Sequence, residues 1–225
     1  MQVDIQGAPA FSYGVVKLGP TDAVKVEAGA MAAMSSTVEM ETKAQGGIMG
    51  GLKRSVLGGE SFFINTFTAP QGGEVAVAAK LPGDMRVMQL DGSKPLMVQS
   101  GSWLASDPGV EVDTKWGGAK TFFSGEGLFL LRCTGSGHVL VSTYGAMIER
   151  DLGAGETYAV DTGHIVAFEE GIGYKVAKSG GWKSTLLGGE GLVAQLTGPG
   201  KIWMQSRSEQ DLIGWLTSVL PFSRS

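Results

Sequence analysis

The tract Leu57-Gly58-Gly59-Glu60-Ser61-Phe62-Phe63 returns as Phe123-Ser124-Gly125-Glu126-Gly127-Leu128-Phe129 and again as Leu187-Gly188-Gly189-Glu190-Gly191-Leu192-Val193, with the Gly-Glu pairs 66 and 64 positions apart. Self-similarity at a fixed period constrains the fold more than local propensity does, because each repeat must form the same supersecondary unit. Each tract leads into a short apolar run, a Gly-bearing turn and an alternating run: Glu74-Val75-Ala76-Val77-Ala78, His138-Val139-Leu140-Val141-Ser142 and Lys201-Ile202-Trp203-Met204-Gln205. That pattern predicts a hairpin three times over. Upstream of each hairpin, Val26-Glu27-Ala28-Gly29-Ala30-Met31, Val98-Gln99-Ser100-Gly101-Ser102-Trp103 and Val160-Asp161-Thr162-Gly163-His164-Ile165 stand at equivalent places. Each precedes a further alternating run, around Val38, Val110 and Ile172. One repeat is about 65 residues, with boundaries near 13–86, 87–146 and 147–207 and no Pro- or Ser-rich linker between them. Three units joined this way are expected to share one pseudo-symmetric body spanning residues 1–225.

The repeat explains the composition. Strands of about five residues need a tight turn after each, and backbone with positive φ is nearly free only for glycine. The chain accordingly carries 36 Gly in 225 residues, roughly twice the usual share of about 7%. There is no G-X-Y period, so collagen is excluded, and so much glycine excludes a long-helix protein. With 18 Lys+Arg against 22 Asp+Glu, the formal charge is −4. This argues against a nucleic-acid binder driven by phosphate neutralisation. The single cysteine, Cys133, closes no intramolecular disulfide and asks for no oxidising compartment. No basic-then-apolar leader opens the sequence, and no apolar run reaches the 18 or so residues of a spanning helix. The expectation is a soluble, cytoplasmic, all-β protein without a transmembrane segment.

Alternation predicts the core. In the first-hairpin strands Phe62, Phe63, Ile64, Leu128, Phe129, Leu130, Leu192 and Val193 are apolar at consecutive sites, which suits strands covered on both faces. In the second-hairpin strands Val75, Val77, Val139, Val141, Ile202 and Met204 point one way and Ala76, Leu140 and Trp203 the other. A second row that is still apolar implies a covering layer or a partner subunit. The pattern changes after residue 207. Ser208 with Asp211 three residues on resembles a capping box, Leu212, Trp215, Leu216, Val219 and Leu220 share a helical face, and Pro221 ends the run. A helix over about 208–220 follows, packed on a sheet or on a neighbouring subunit. A membrane-surface helix would want basic residues where Glu209 and Asp211 stand.

No catalytic constellation emerges. His138 and His164 belong to different strands and lack a close His-x-His or Glu-x-x-His partner, so no metal site and no cofactor are expected. Cys133, at the end of a strand, reads as a small buried hydrophobe, and no Gly-x-Ser-x-Gly elbow is present. The stretch Gly46-Gly47-Ile48-Met49-Gly50-Gly51-Leu52-Lys53-Arg54-Ser55 misses the spacing of a phosphate loop, since Leu52 stands where the Lys should be. Similar loops with basic residues recur at Lys115–Thr121, with Lys120, and at Ser179–Ser184, with Lys183. Architecture is the simpler reading of a loop that occurs three times; anion or ligand contact by Lys53, Arg54, Lys120 and Lys183 is the alternative. The pairs Gly59-Glu60, Gly125-Glu126 and Gly189-Glu190 read as turn signatures, each Glu opening a strand and satisfying turn amides.

The run from Gly46 through Lys53-Arg54 to Gly58-Gly59-Glu60-Ser61-Phe62-Phe63-Ile64-Asn65, with the closing Leu187-Gly188-Gly189-Glu190-Gly191-Leu192 and Gly198-Pro199-Gly200-Lys201-Ile202-Trp203-Met204-Gln205-Ser206-Arg207-Ser208, resembles the altered-inheritance-of-mitochondria protein twenty-four family. The resemblance covers nearly the whole chain. It implies a fold related to the tryptophan RNA-binding attenuation protein (TRAP), a short double-stranded β-helix repeated within one chain and assembled as a homotrimer. It implies no settled activity. Eukaryotic relatives are linked to mitochondrial inner-membrane organisation, and this chain departs from them in lacking a presequence. It departs from the attenuation protein in being acidic, so neither tryptophan nor RNA binding follows from a shared fold. The reading is a non-enzymatic homo-oligomeric scaffold with an unidentified protein or small-molecule partner. The alternative is a small-molecule or anion binding module with sites between repeats.

Overall fold

The computed structural model describes residues 1–43, 62–113, 129–178 and 192–221. After β1 (Gln2–Gln6) come β2 (Tyr13–Leu18), β3 (Ala23–Glu27), β4 (Met31–Met34), β5 (Glu39–Lys43), β6 (Ile64–Thr68) and β7 (Gly73–Ala78). The next set is β8 (Met85–Asp91), β9 (Leu96–Gln99), β10 (Trp103–Ser106), β11 (Val110–Asp113) and the long β12 (Leu130–Ser142). The last is β13 (Met147–Leu152), β14 (Thr157–Asp161), β15 (Ile165–Glu169), β16 (Gly173–Lys178), β17 (Leu192–Thr197) and β18 (Gly200–Gln205), followed by helix α1 (Glu209–Val219). β12 serves as two strands, its first half pairing with β9 and β11 and its second with β8 and β10. The change of direction needs Gly135, whose φ is 89° and where a side chain would collide with the Gly109 carbonyl. Among the described residues the fold is all-β in antiparallel sheets with one C-terminal helix.

The pairing recurs down the chain. Antiparallel trios β2–β7–β4, β8–β12–β10 and β13–β18–β15 alternate with trios β3–β6–β5, β9–β12–β11 and β14–β17–β16. In the first kind the third strand slips by one residue at the same place each time, between Met31 and Ala33, between Trp103 and Ala105, and between Ile165 and Ala167. Just past that slip the strand reaches a neighbouring trio. β10 pairs with β3 through Ala105↔Val26 and Ser106↔Lys25. β15 pairs with β9 through Ala167↔Val98, Phe168↔Met97 and Glu169↔Leu96. Charges clip both seams: Lys25 Nζ donates to the Pro108 and Val110 carbonyls at 3.0 and 2.9 Å, and Arg132 donates two bonds to Glu170 at 2.7 and 3.1 Å.

The core follows these seams. Leu104, Ala105 and Leu140 of the second set pack into the cluster around Val24, Phe67 and Val75, and Val166 and Ala167 of the third set join the cluster around Trp103 and Val139. Phe62 meets the buried Trp103 ring edge-on, centroids 5.4 Å apart. Each large apolar side chain so buried contributes about 1.5–3 kcal/mol. The second row of the alternating strands is covered by the chain itself at Ala76 and Leu140, both buried, so a covering layer and not a second subunit closes it there. Trp203 is half-buried and its indole N–H donates to Glu149 at 3.1 Å. The expected two-sided burial of the first-hairpin strands holds at Ile64 and Leu130 and fails at Phe63, which is 40% exposed because β6 begins one residue later. Leu128 lies outside the described residues.

α1 starts as its sequence predicts, the Ser208 hydroxyl accepting from the Asp211 amide at 3.2 Å. Pro221 follows its end. Packing differs from the expectation, since no α1 residue is buried and Ile213, Trp215, Val219 and Leu220 are exposed.

Candidate functional site

The turns that follow β3, β9 and β14 come to one place. Gly29, Gly101 and Gly163, equivalent in the sequence, line a hollow of about 70 Å³ together with the strand-end residues Ala78, Ser142 and Gln205, equivalent in turn. The N-terminal residues of α1, Glu209 and Gln210, stand on its wall, as do Glu27, Lys80 and Tyr144. Around it Gln99, Ser102, Ser142, Thr143, Gln205 and Ser208 are all buried polar residues. Gln205 is held at both ends: its Oε1 accepts from the Tyr144 amide at 2.8 Å and its Nε2 donates to the Gly163 carbonyl at 2.9 Å. Ser102 Oγ donates to Gln99 Oε1 at 3.2 Å. The Gly163 amide donates to Asp161 at 2.8 Å, closing the turn that seats Ser208 and hence α1.

A second feature is a sheet edge at each end of the set that has no partner strand among the described residues. β4 lies at the end of the order β1–β2–β7–β4 and β14 at the end of β14–β17–β16. β4 reads Met31-Ala32-Ala33-Met34, without a charge or proline of the kind that guards exposed edges. Ala33 is exposed, whereas Ala105 and Ala167, after the same slip in β10 and β15, are 0% exposed.

The residues singled out from the sequence fall elsewhere. Lys53, Arg54, Lys120 and Lys183, and the pairs Gly59-Glu60, Gly125-Glu126 and Gly189-Glu190, lie outside the described residues. His138 is half-buried, with its Nδ1 2.8 Å from Asp107 Oδ2. Burial raises the Asp107 pKa, but hydrogen bonds from the amino terminus and His138 outweigh it and hold the carboxyl below its usual range. His164 Nδ1 lies 2.8 Å from the Gln205 carbonyl. Among the described residues no group of three or more His, Cys, Asp or Glu could hold a metal ion. Cys133 is buried and desolvation pushes its thiol up to about 12, which leaves no reactive thiolate near neutral pH. Gln99 and Ser142 went unmarked. The signal was present in the aligned repeats, where Ala78, Ser142 and Gln205 vary from apolar to polar at one position, but variation at a strand end points to a site only once the strand ends are known to meet.

Residues 3–207 match the family described as Mitochondrial biogenesis AIM24. The chain belongs to that family. Within reach of it, an uncharacterised protein of Streptococcus pyogenes serotype M6 is 27% identical over 231 residues, covering 99% of this chain and 92% of the relative. The crystal structure of Streptococcus pyogenes protein SPYM3_0169 superposes with a TM-score of 0.80 at 26% identity, covering 97% of this chain and 99% of that one. The AIM24 match thus runs from within β1 through β18 and ends at residue 207, directly before the Ser208 cap of α1. Among the described residues no helix is long and apolar enough to cross a membrane.

Proposed function

We propose that this AIM24-family chain is a non-enzymatic scaffold built from three TRAP-like six-strand units, and that it assembles as a cytoplasmic homotrimer in which β4 of one copy pairs with β14 of the next. The observation that carries the reading is the Ala–Val pair at each internal seam. Ala105 faces Val26 and Ala167 faces Val98; Ala33 and Val160 are the third pair of the same series, and each sits on an edge with no partner strand among the described residues. An edge-to-edge contact between different strands is head-to-tail, and such contacts close into rings when the rotation allows. α1 leaves the chain beside the turn after β14, so a copy seated on that edge meets the exposed Ile213, Trp215 and Val219. The reduced thiol of Cys133 suits the cytoplasm.

Extension of the closed registers puts Met34 opposite Ala159, as Phe168 is opposite Met97. A chain carrying Met34→Cys and Ala159→Cys should therefore oxidise into a covalent ring three times the 23.4 kDa chain mass, while each single variant does not cross-link. Cys133 is too buried to compete. A monomer at micromolar concentration, or a bridge formed within one chain, would overturn the assembly.

A further inference from the structure

The hollow between the three turns lies beside the open edges, Ala30 directly preceding β4 and Gly163 following β14, and its chemistry selects an occupant. Two side chains on it are more than nine-tenths buried and keep hydrogen-bonding capacity in hand. Ser142 is 3% exposed, and its hydroxyl has no partner among the described residues. Gln99 is 5% exposed, and while its Oε1 accepts from Ser102, its Nε2 has no acceptor among the described residues. Buried polar groups are nearly always met by protein, ordered water or ligand. Both residues line one space of about 70 Å³, well above the roughly 10–15 Å³ that a single water needs.

We propose that this hollow binds a small neutral polyhydroxylated molecule, a polyol or a simple sugar. Its deep side presents donors, the Gln99 amide and Ser142 hydroxyl, and α1 brings first-turn N–H groups and the positive end of its dipole to the wall. That side disfavours a cation. Among the described residues the lining also carries the carboxylates Glu27 and Glu209 and the ammonium of Lys80, a balance that disfavours an anion. Neighbouring hydroxyls meet both halves, accepting from Gln99 and Ser142 while donating to these carboxylates. Gln205 does not compete, since both ends of its amide hold the turns in place.

Saturation-transfer NMR on the full chain, with erythritol and D-ribose as probes and acetate and methylammonium as charged comparators, tests the assignment. Saturable binding of a neutral probe is expected, weakened about tenfold in the Gln99→Met, Ser142→Ala double variant by the loss of two hydrogen bonds. Ala78→Leu, which fills the hollow from another strand and leaves both polar groups intact, should abolish it. Absence of saturable binding by either neutral probe would mean a water-filled hollow and overturn the proposal. Tighter binding of acetate or methylammonium would overturn it too, as would unchanged affinity in variants whose thermal melts match the parent.

Discussion

Two seams of this chain are closed and a third set of matching strands is not. At β10–β3 and β15–β9 an alanine just past a one-residue slip is buried against a valine, and a charged side chain reaches across to hold the neighbouring segment. At β4 the same slip occurs in the same place, the same alanine follows, and that alanine is in solvent. Local sequence therefore sets strand conformation in all three, since the slip needs no neighbour to form. Burial is set by pairing, which is non-local. The difference between Ala33 and Ala167 lies in what stands next to them, and one substitution placed at both positions measures it.

Aspartate is that substitution. Ala167→Asp puts a carboxylate into the fully buried apolar cluster around Trp103 and Val139, and the cost of several kcal/mol should leave no cooperative fold. Ala33→Asp should leave the chain folded, with its circular dichroism intact, and abolish assembly through the open edge by about a hundredfold or more in affinity. Thermal melts and native mass spectra of the two variants decide the matter. If Ala33→Asp unfolds the chain as Ala167→Asp does, the edge is buried within one copy. If it changes neither melt nor mass, the edge is idle.

α1 sharpens the same contrast. Trp215 is 61% exposed, so Trp215→Ser should leave the melt of the Ala33→Asp monomer where it is. In the parent it should weaken assembly by about tenfold, as loss of an interface aromatic does. Sedimentation of the four chains in this cycle reads the coupling. A lower melt of the Ala33→Asp monomer on Trp215→Ser would assign α1 to its own subunit.

How far these features could be read in the sequence follows from their range. The repeats were legible because the Gly-Glu and Val-x-x-Gly tracts are contiguous, and α1 was legible because Ser208, Asp211 and Pro221 mark a helix within one turn of its ends. The seams were not, since Val26, Val98 and Val160 look like any inward strand residue until their partners are known. The hollow escaped for a related reason: Ser142 stands between Val141 and Thr143 at the end of an ordinary alternating strand, and only the meeting of three turns makes its hydroxyl matter. The basic and Gly-Glu positions weighed instead lie outside the described residues and say nothing about either feature.

The smallest expected effect tests the clip that the closed seam has and the open edge lacks. Arg132 holds Glu170 by two bonds, and those bonds, ahead of the opposing effect of burial, keep the Glu170 carboxyl below the usual glutamate range; the Arg132 guanidinium is correspondingly pushed up and stays charged. Both side chains are about a third exposed, so screening limits the pair to about 0.5–1 kcal/mol. A carboxyl whose pKa is lower in the folded chain adds stability above its unfolded value of about 4.3, and that stability is lost as pH falls through the lower folded value. Arg132→Met should therefore melt below the parent at pH 7, and the gap should close as the buffer is taken from about pH 5 downward. The comparison is cleanest in the Ala33→Asp monomer, where assembly does not contribute to the melt. A gap that persists unchanged in acid would mean that Arg132 acts by packing its stem across the seam, and the closed and open edges would then differ in apolar contact alone.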